Sequence, residues 1–221
     1  MTFTGFPDEG LVFYEGLDAD NSKAYWTEHR QDYERYVRAP MQALADELAA
    51  EFGPAKLFRP YRDVRFSSDK TPYKTHQGTV LHPEGRGLGS VYVQISADGL
   101  FVAGGCWRLE ADQVERYRRA VADDLPGGPL AAEVDRLRAA GYTIDGDRLV
   151  RMPRGYSADH PRAELLRHKS LHASAEWAPE DWLHGPGALD RVREAWRQFA
   201  ALNRWLADNV GASTAPPDRR R

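Results

Sequence analysis

The chain has 221 residues, of which 42% are hydrophobic and 29% charged, enough for a sizeable core in one domain or, at most, two small ones. A formal charge of -3 excludes a global field that would draw nucleic acid or an anionic membrane, so binding of that kind must come from a local patch. The single cysteine, Cys106, excludes an internal disulfide and a cysteine-based zinc cluster within the chain, and it suits a reducing cytoplasm.

The N-terminus lacks a basic leader and mixes acids with its apolar residues, and no apolar run approaches the ~20 residues of a membrane span. The chain is therefore expected to be cytoplasmic, neither exported nor membrane-spanning. Residues 6–17 read as a short helix. A longer helix is expected from an N-cap at Asn21 or Ser22 through "KAYWTEHRQDYERYVRA". Along it Tyr25, Trp26, His29, Tyr33 and Tyr36 recur at three- and four-residue steps, as a core face or a ligand-stacking platform would. Pro40 should break or restart this helix, and "MQALADELAAEF" should follow as another, ended at Gly53-Pro54.

From residue 57 the pattern changes. In "LFRPYRDVRF" Val64 and Phe66 alternate with Asp63 and Arg65, the period of a half-buried strand. The loop "SSDKTPYKTH" leads to strands "GTVLHP", "SVYVQIS" and "LFVAGGCW", an antiparallel meander. Two helices are expected next, in "ADQVERYRRAVAD" and "PLAAEVDRLRAAG", joined by "LPGG". "YTIDGDRLVRMP" reads as a hairpin about Asp145-Gly146. "HPRAELLR" reads as a short helix and "HKSLHASAEW" as extended chain. A last long helix should run from Gly187 to Asn209 and be capped by Gly211. The expectation is one α+β domain over residues 1–211, a mostly antiparallel sheet with helices from both chain ends packed on it, followed by a disordered tail at 212–221.

Residues 58–74 hold five bases, Arg59, Arg62, Arg65, Lys70 and Lys74, against two acids, Asp63 and Asp69, a local net of +3 inside a chain of -3. Guanidinium forks and ammonium groups bind carboxylate and phosphate oxygens, and the adjoining Ser/Thr run adds donors. The same charges could instead form a structural ion-pair network. Only five of the 30 Lys and Arg residues are lysine, and two of those five lie in this stretch, in keeping with a need for compact ammonium groups there or with codon bias elsewhere.

Other motifs carry less. Ser67 and Lys70 spell S-x-x-K, but Thr71-Pro72 opposes the helix such a nucleophile needs. His168 and His172 have metal-ligand spacing without an H-E-x-x-H context, and "GRGLG" at 85–89 reads as a flexible hairpin turn. Cys106, at the end of a strand, reads as a small buried residue. No metal site and no cofactor is expected.

The strings "RPYRDVRFSSDKTPYKTH", "NSKAYWTEHRQDYERYVRAPMQAL", "YVQISADGLFVAGGCW" and "LVRMPRGYSADHPRAELLRHKS", with a C-terminal "W-L" helix, resemble the bacterial and fungal family catalogued as domain of unknown function 2461. The resemblance spans about residues 4–209. It singles out Arg62, Asp63, Arg65, Phe66, Asp69, Lys70, Pro72, Tyr73 and Lys74, then Gly105 and Trp107, then Pro153, Gly155, Tyr156, His160, Pro161 and Lys169. Tyr25-Trp26 stands where the family pattern has Trp-Phe, and Arg30 where it has Lys. The resemblance implies a mixed α/β fold and a cytoplasmic location, and no activity.

The functional expectation is an anionic small-molecule ligand, carboxylate or phosphate. Arg62 and Arg65 would clamp it, Asp63 would orient an arginine, and Lys70 or Lys74 would supply a point charge or acid/base chemistry. Lys70 and Asp63 are the catalytic candidates. Arg62, Arg65, Asp69, Tyr73, Lys74 and Trp107 are the ligand-binding candidates, with Tyr73 and Trp107 as walls. The alternatives are a nucleic-acid or protein interaction module using the same basic segment, and a purely structural ion-pair network.

Overall fold

The computed structural model describes residues 2–82 and 88–215. The expected turn at 85–89 therefore lies mostly outside the described residues, as does the tail from 216 onward. The fold is α+β. Six strands, β1 (Ala55–Leu57), β2 (His76–Leu81), β3 (Ser90–Ser96), β4 (Gly99–Cys106), β5 (Thr143–Asp145) and β6 (Leu171–Trp177), join in the order β1-β2-β3-β4-β6-β5. The pairs β1–β2, β2–β3 and β5–β6 are antiparallel, with Val80 opposite Tyr92 and Ile144 opposite Ala173. The chain divides into two compact units. The first comprises residues up to His82, Val91–Val102 and Glu176–Ala195, and the second the segment up to Ser90, Ala103–Ala175 and the chain from Trp196.

In the first unit, Asp8 and Glu9 place negative charge in the opening turn of α1 (Asp8–Ala19), where the helix dipole favours it. Ser22 caps α2 (Lys23–Glu28), its Oγ accepting from Tyr25 N at 3.2 Å. The long helix expected after Ser22 is interrupted. α2 gives way to the short α3 (Arg30–Asp32), a π-helical turn (Tyr33–Arg38) and α4 (Ala39–Phe52). Pro40 sits at the junction where the π-helical turn runs into α4 without leaving helical backbone, so its ring removes one amide donor there and the helix continues past it. The aromatic stripe is a core face. Trp26 and Tyr33 are both buried, and their rings lie 4.8 Å apart with Phe13 against both. In β3 Val91, Val93 and Ile95 are buried while their neighbours are not, the alternation expected of a one-faced strand.

The second unit holds α5 (Ala111–Ala122), α6 (Asp124–Ala139), α7 (Ala163–Leu166) and α9 (Ala200–Asn209), while α8 (Gly187–Gln198) contributes its last residues. Glu110 and Gln113 close a capping box on α5. Buried polar tips find backbone acceptors: Tyr117 Oη donates to Leu165 O at 3.0 Å, and Trp205 Nε1 donates to Pro126 O at 2.7 Å. Ser213 Oγ, Thr214 N and Thr214 Oγ1 all donate to the Asp112 carboxylate, which ties down residues just before the undescribed tail.

Four local expectations are corrected. Residues 58–66 form no strand; a single bridge, Tyr61 to Tyr73, is their only ladder pairing, and Phe66 is 96% exposed. "LPGG" is helical, because Asp123 caps α6 by accepting from Leu125 N and Pro126 falls in the first turn. Asp145-Gly146 makes no hairpin: β5 pairs with β6, and Arg148 bridges to His168. The last helix breaks at Phe199 into α8 and α9.

Candidate functional site

The charged string becomes an exposed loop on a fixed stem, all within the first unit. Phe58 N donates to Gly78 O at 2.9 Å, Lys74 N to Pro60 O at 2.8 Å, and Arg62 N to Pro72 O at 2.9 Å, so the two sides are zipped from the base upward. Gln77, almost fully buried, reinforces the base: its Nε2 donates to Phe58 O at 3.0 Å and Gly78 O at 2.9 Å, and its Oε1 accepts from Tyr33 Oη at 2.6 Å. The Asn21 side chain mimics a neighbouring strand, donating to Tyr73 O at 3.1 Å and accepting from Tyr73 N at 3.0 Å. Tyr73 is buried and stacks on Trp26, centroids 4.4 Å apart and 8° from parallel, with Tyr61 5.6 Å away on the bridge.

Beyond the stem, the two carboxylates close pairs inside the loop. Arg65 grips Asp63 in a fork, Nε to Oδ1 at 2.9 Å and Nη2 to Oδ2 at 2.6 Å, while Arg62 Nη1 donates to Asp69 Oδ2 and Thr71 Oγ1. Thr71 N and Oγ1 donate back to Asp69 Oδ1 at 2.9 and 2.8 Å. The Arg65 fork holds the Asp63 carboxyl down to about 2, and the Thr71 amide, then Arg62, hold Asp69 at about 2 as well. An acid bound so tightly to a guanidinium is a weak proton acceptor near neutrality.

Lys70 Nζ donates to Val64 O at 2.8 Å, tying one limb of the loop to the other. Lys74 lies with Nζ 5.2 Å from the Phe58 centroid, and burial, then Arg59, holds its ammonium below the usual lysine value. No carboxylate lies within salt-bridge distance of Arg59, Lys70 or Lys74 among the described residues. At the surface of the same loop, Phe66 stands almost fully in solvent with the Arg65 guanidinium 5.9 Å from its ring centroid, and Tyr61 is 47% exposed.

Of the sequence-derived candidates, Arg62, Asp63, Arg65, Asp69 and Lys70 share this loop, and Tyr73 and Lys74 form its stem. Trp107 belongs to the second unit, where its ring lies 3.9 Å from that of His172. Cys106 is buried, its Sγ donates to Arg108 O at 2.9 Å, and burial pushes the thiol up to about 11, which suits packing and not nucleophilic attack. Among the described residues no group of three or more His, Cys, Asp or Glu could hold a metal, and no helix is long and apolar enough to cross a membrane. Sequence reasoning missed the anchoring roles of Asn21 and Gln77, because a polar side chain that pairs with distant backbone leaves no local pattern.

A family model described as "Conserved hypothetical protein (DUF2461)" matches residues 9–205, most of the chain. The chain belongs to that family, as its motifs implied. No curated protein matches it.

Proposed function

We propose that this family member binds an anionic partner through the loop at residues 59–74, with Arg59, Lys70 and Lys74 facing its phosphate or carboxylate oxygens. The observation that carries the reading is the imbalance after internal pairing: Asp63 and Asp69 are consumed by Arg65 and Arg62, and three further cations remain. Exposed ion pairs of this kind add little stability, so stability alone does not account for so much charge in one loop.

The shape of the loop favours an extended anion over an enclosed small molecule. Small-ligand sites bury most of their ligand, whereas the side chains of Asp63, Arg65 and Asp69 are 46%, 74% and 51% exposed. Phe66 and Tyr61 offer faces for base stacking beside the cations, which is how single-stranded nucleic acid is held without sequence preference. The surplus acts locally, since the chain as a whole carries -3 and screening limits reach to about 8 Å at physiological salt. A cytoplasmic setting belongs to the same reading, with Cys106 as a buried, reduced thiol.

The test is the anisotropy of a labelled single-stranded oligonucleotide titrated with protein at several salt concentrations. Three phosphate contacts give a slope of log affinity against log salt of about -2. Replacing Arg59, Lys70 and Lys74 together by Gln should flatten that slope, and Phe66→Ala should weaken binding by about 1–3 kcal/mol at unchanged slope. Absence of binding at low salt, or a slope unmoved by the triple substitution, overturns the reading. Binding of phosphate or a small organic acid at the loop, insensitive to Phe66→Ala, would restore the small-molecule alternative.

A further inference from the structure

We propose that the second unit holds a cleft of its own for a small organic anion with a flat or apolar body, seating the carboxylate or phosphate on Arg118 and Lys169 and the body against Trp107. The cleft measures about 670 Å³, within the range of small-ligand sites. Three cations line it, Arg108, Arg118 and Lys169, against one carboxylate, Asp147. Glu110, beside the lining, stands 3.6 Å from Arg108 and offsets that one alone.

Arg118 is the informative residue. It projects from α5, and its Nε donates to Leu166 O at 3.1 Å, which fixes the guanidinium plane. Its Nη2 is buried and has no hydrogen-bond partner among the described residues. A desolvated guanidinium N–H without an acceptor is costly, more so than a neutral donor, and such groups are rare unless a ligand or water completes them. An oxyanion seated against Arg118 in the cleft would supply the missing acceptor once a small side-chain shift uncovers Nη2.

The Asp147, Lys169 and Ser170 part of the lining is held in place. Lys169 N donates to Asp147 O at 2.7 Å, and Lys169 Nζ lies 2.6 Å from Asp147 Oδ2, so the ammonium is positioned while its side chain remains 40% exposed. Ser170 is buried, and its Oγ accepts from Asp147 N at 2.7 Å, which leaves the hydroxyl hydrogen to donate. This close approach requires glycine at 146: φ is 147°, and a Cβ there would lie 2.2 Å from Ser170 O. Trp107 is 51% exposed, with its ring also lying against His172, and Leu109 and Val114 add apolar wall. A small anion with a planar body matches each of these surfaces, whereas a bare inorganic ion leaves Trp107 and the apolar wall unused.

The experiment titrates the intact chain by calorimetry with phenyl phosphate, benzoate, indole-3-acetate and inorganic phosphate, with indole-3-acetamide as the uncharged comparison. An aromatic anion should bind more tightly than both inorganic phosphate and the amide. Arg118→Gln and Lys169→Met should each weaken it about tenfold or more, the worth of a charged hydrogen bond. Trp107→Leu should weaken it while sparing any inorganic phosphate binding. If Arg118→Gln fails to fold, the two exposed-side-chain variants Lys169→Met and Trp107→Leu carry the test. The proposal is overturned if no probe binds at about 10 mM, where millimolar affinity is still detected. It is equally overturned if the aromatic anion binds but every variant that folds binds as well as wild type.

Discussion

Tyr33→Phe removes one oxygen from the hydrogen-bonded base of the cationic loop. In the wild type Tyr33 Oη donates to Gln77 Oε1 at 2.6 Å, and both residues are at most 2% exposed. The Gln77 amide has no freedom to turn for another partner, because its Nε2 is held by Phe58 O and Gly78 O. The variant therefore leaves a buried carbonyl oxygen unsatisfied, at a cost of about 1–3 kcal/mol. For a chain of 221 residues each kcal/mol moves the melting temperature by about 2–4 °C, so the expected fall is about 2–12 °C. Thermal unfolding followed by calorimetry measures it. Hydrogen exchange at the Phe58 amide, which donates to Gly78 O, should accelerate in parallel. Adding Gln77→Leu to Tyr33→Phe should cost less than the two single changes summed, since the orphaned oxygen goes with it. A melting temperature for Tyr33→Phe within about 1 °C of wild type refutes the reasoning.

Other perturbations test other parts of the fold. Gly146→Ala should destabilise by about 1–3 kcal/mol or more, since its Cβ would stand 2.2 Å from Ser170 O in a left-handed backbone; an unchanged denaturant midpoint contradicts this. Burial holds His76, His168 and His172 below the usual histidine value, so the unfolded chain binds protons first as pH drops. Their contribution is complete above pH ~6.5 and is lost as pH falls through that value toward the folded pKa values, so melting temperature should decline from pH 7 to 5, less steeply in His168→Gln. Asp112→Ala should release Ser213 and Thr214, read as faster proteolytic trimming of the C-terminus with α5 and α9 intact.

Some of the architecture was legible because its signal is local. Val91, Val93 and Ile95 alternate with polar residues and are buried on one face of β3, as the two-residue period implies. Val64 and Phe66 alternate as well, yet Phe66 lies in solvent. Periodicity reports which residues share a side; it does not report whether anything packs there, and this segment gains one bridge instead of a ladder partner. "LPGG" failed as a joint for a related reason. Gly127 reads as a helix breaker, but its missing Cβ makes room for Val121 O, which would lie 2.3 Å from that atom, and the helix accepts the glycine for that contact. The site divides the same way. The charge surplus at 59–74 was countable in sequence. The pairing of Arg62 with Asp69 and of Arg65 with Asp63 was only one of several possible matchings. Arg118 gave no sign, because an arginine on α5 looks like any surface helix residue until Leu166 O is found at its Nε.

The ion pairs of the cationic loop have one more consequence. The side chains of Arg62, Arg65 and Lys70 all donate to residues 63–71, so the tip is held by contacts within its own sequence and is closed at the Tyr61–Tyr73 bridge. A peptide of residues 61–73 closed into a ring where the bridge stands should then keep the Arg62–Asp69 and Arg65–Asp63 pairings and the outward Phe66, without the flanking charges of Arg59 and Lys74. The tip is in that sense a portable part, one that could be moved onto an unrelated hairpin and carry its two ion pairs along, while Arg59 and Lys74 would stay behind.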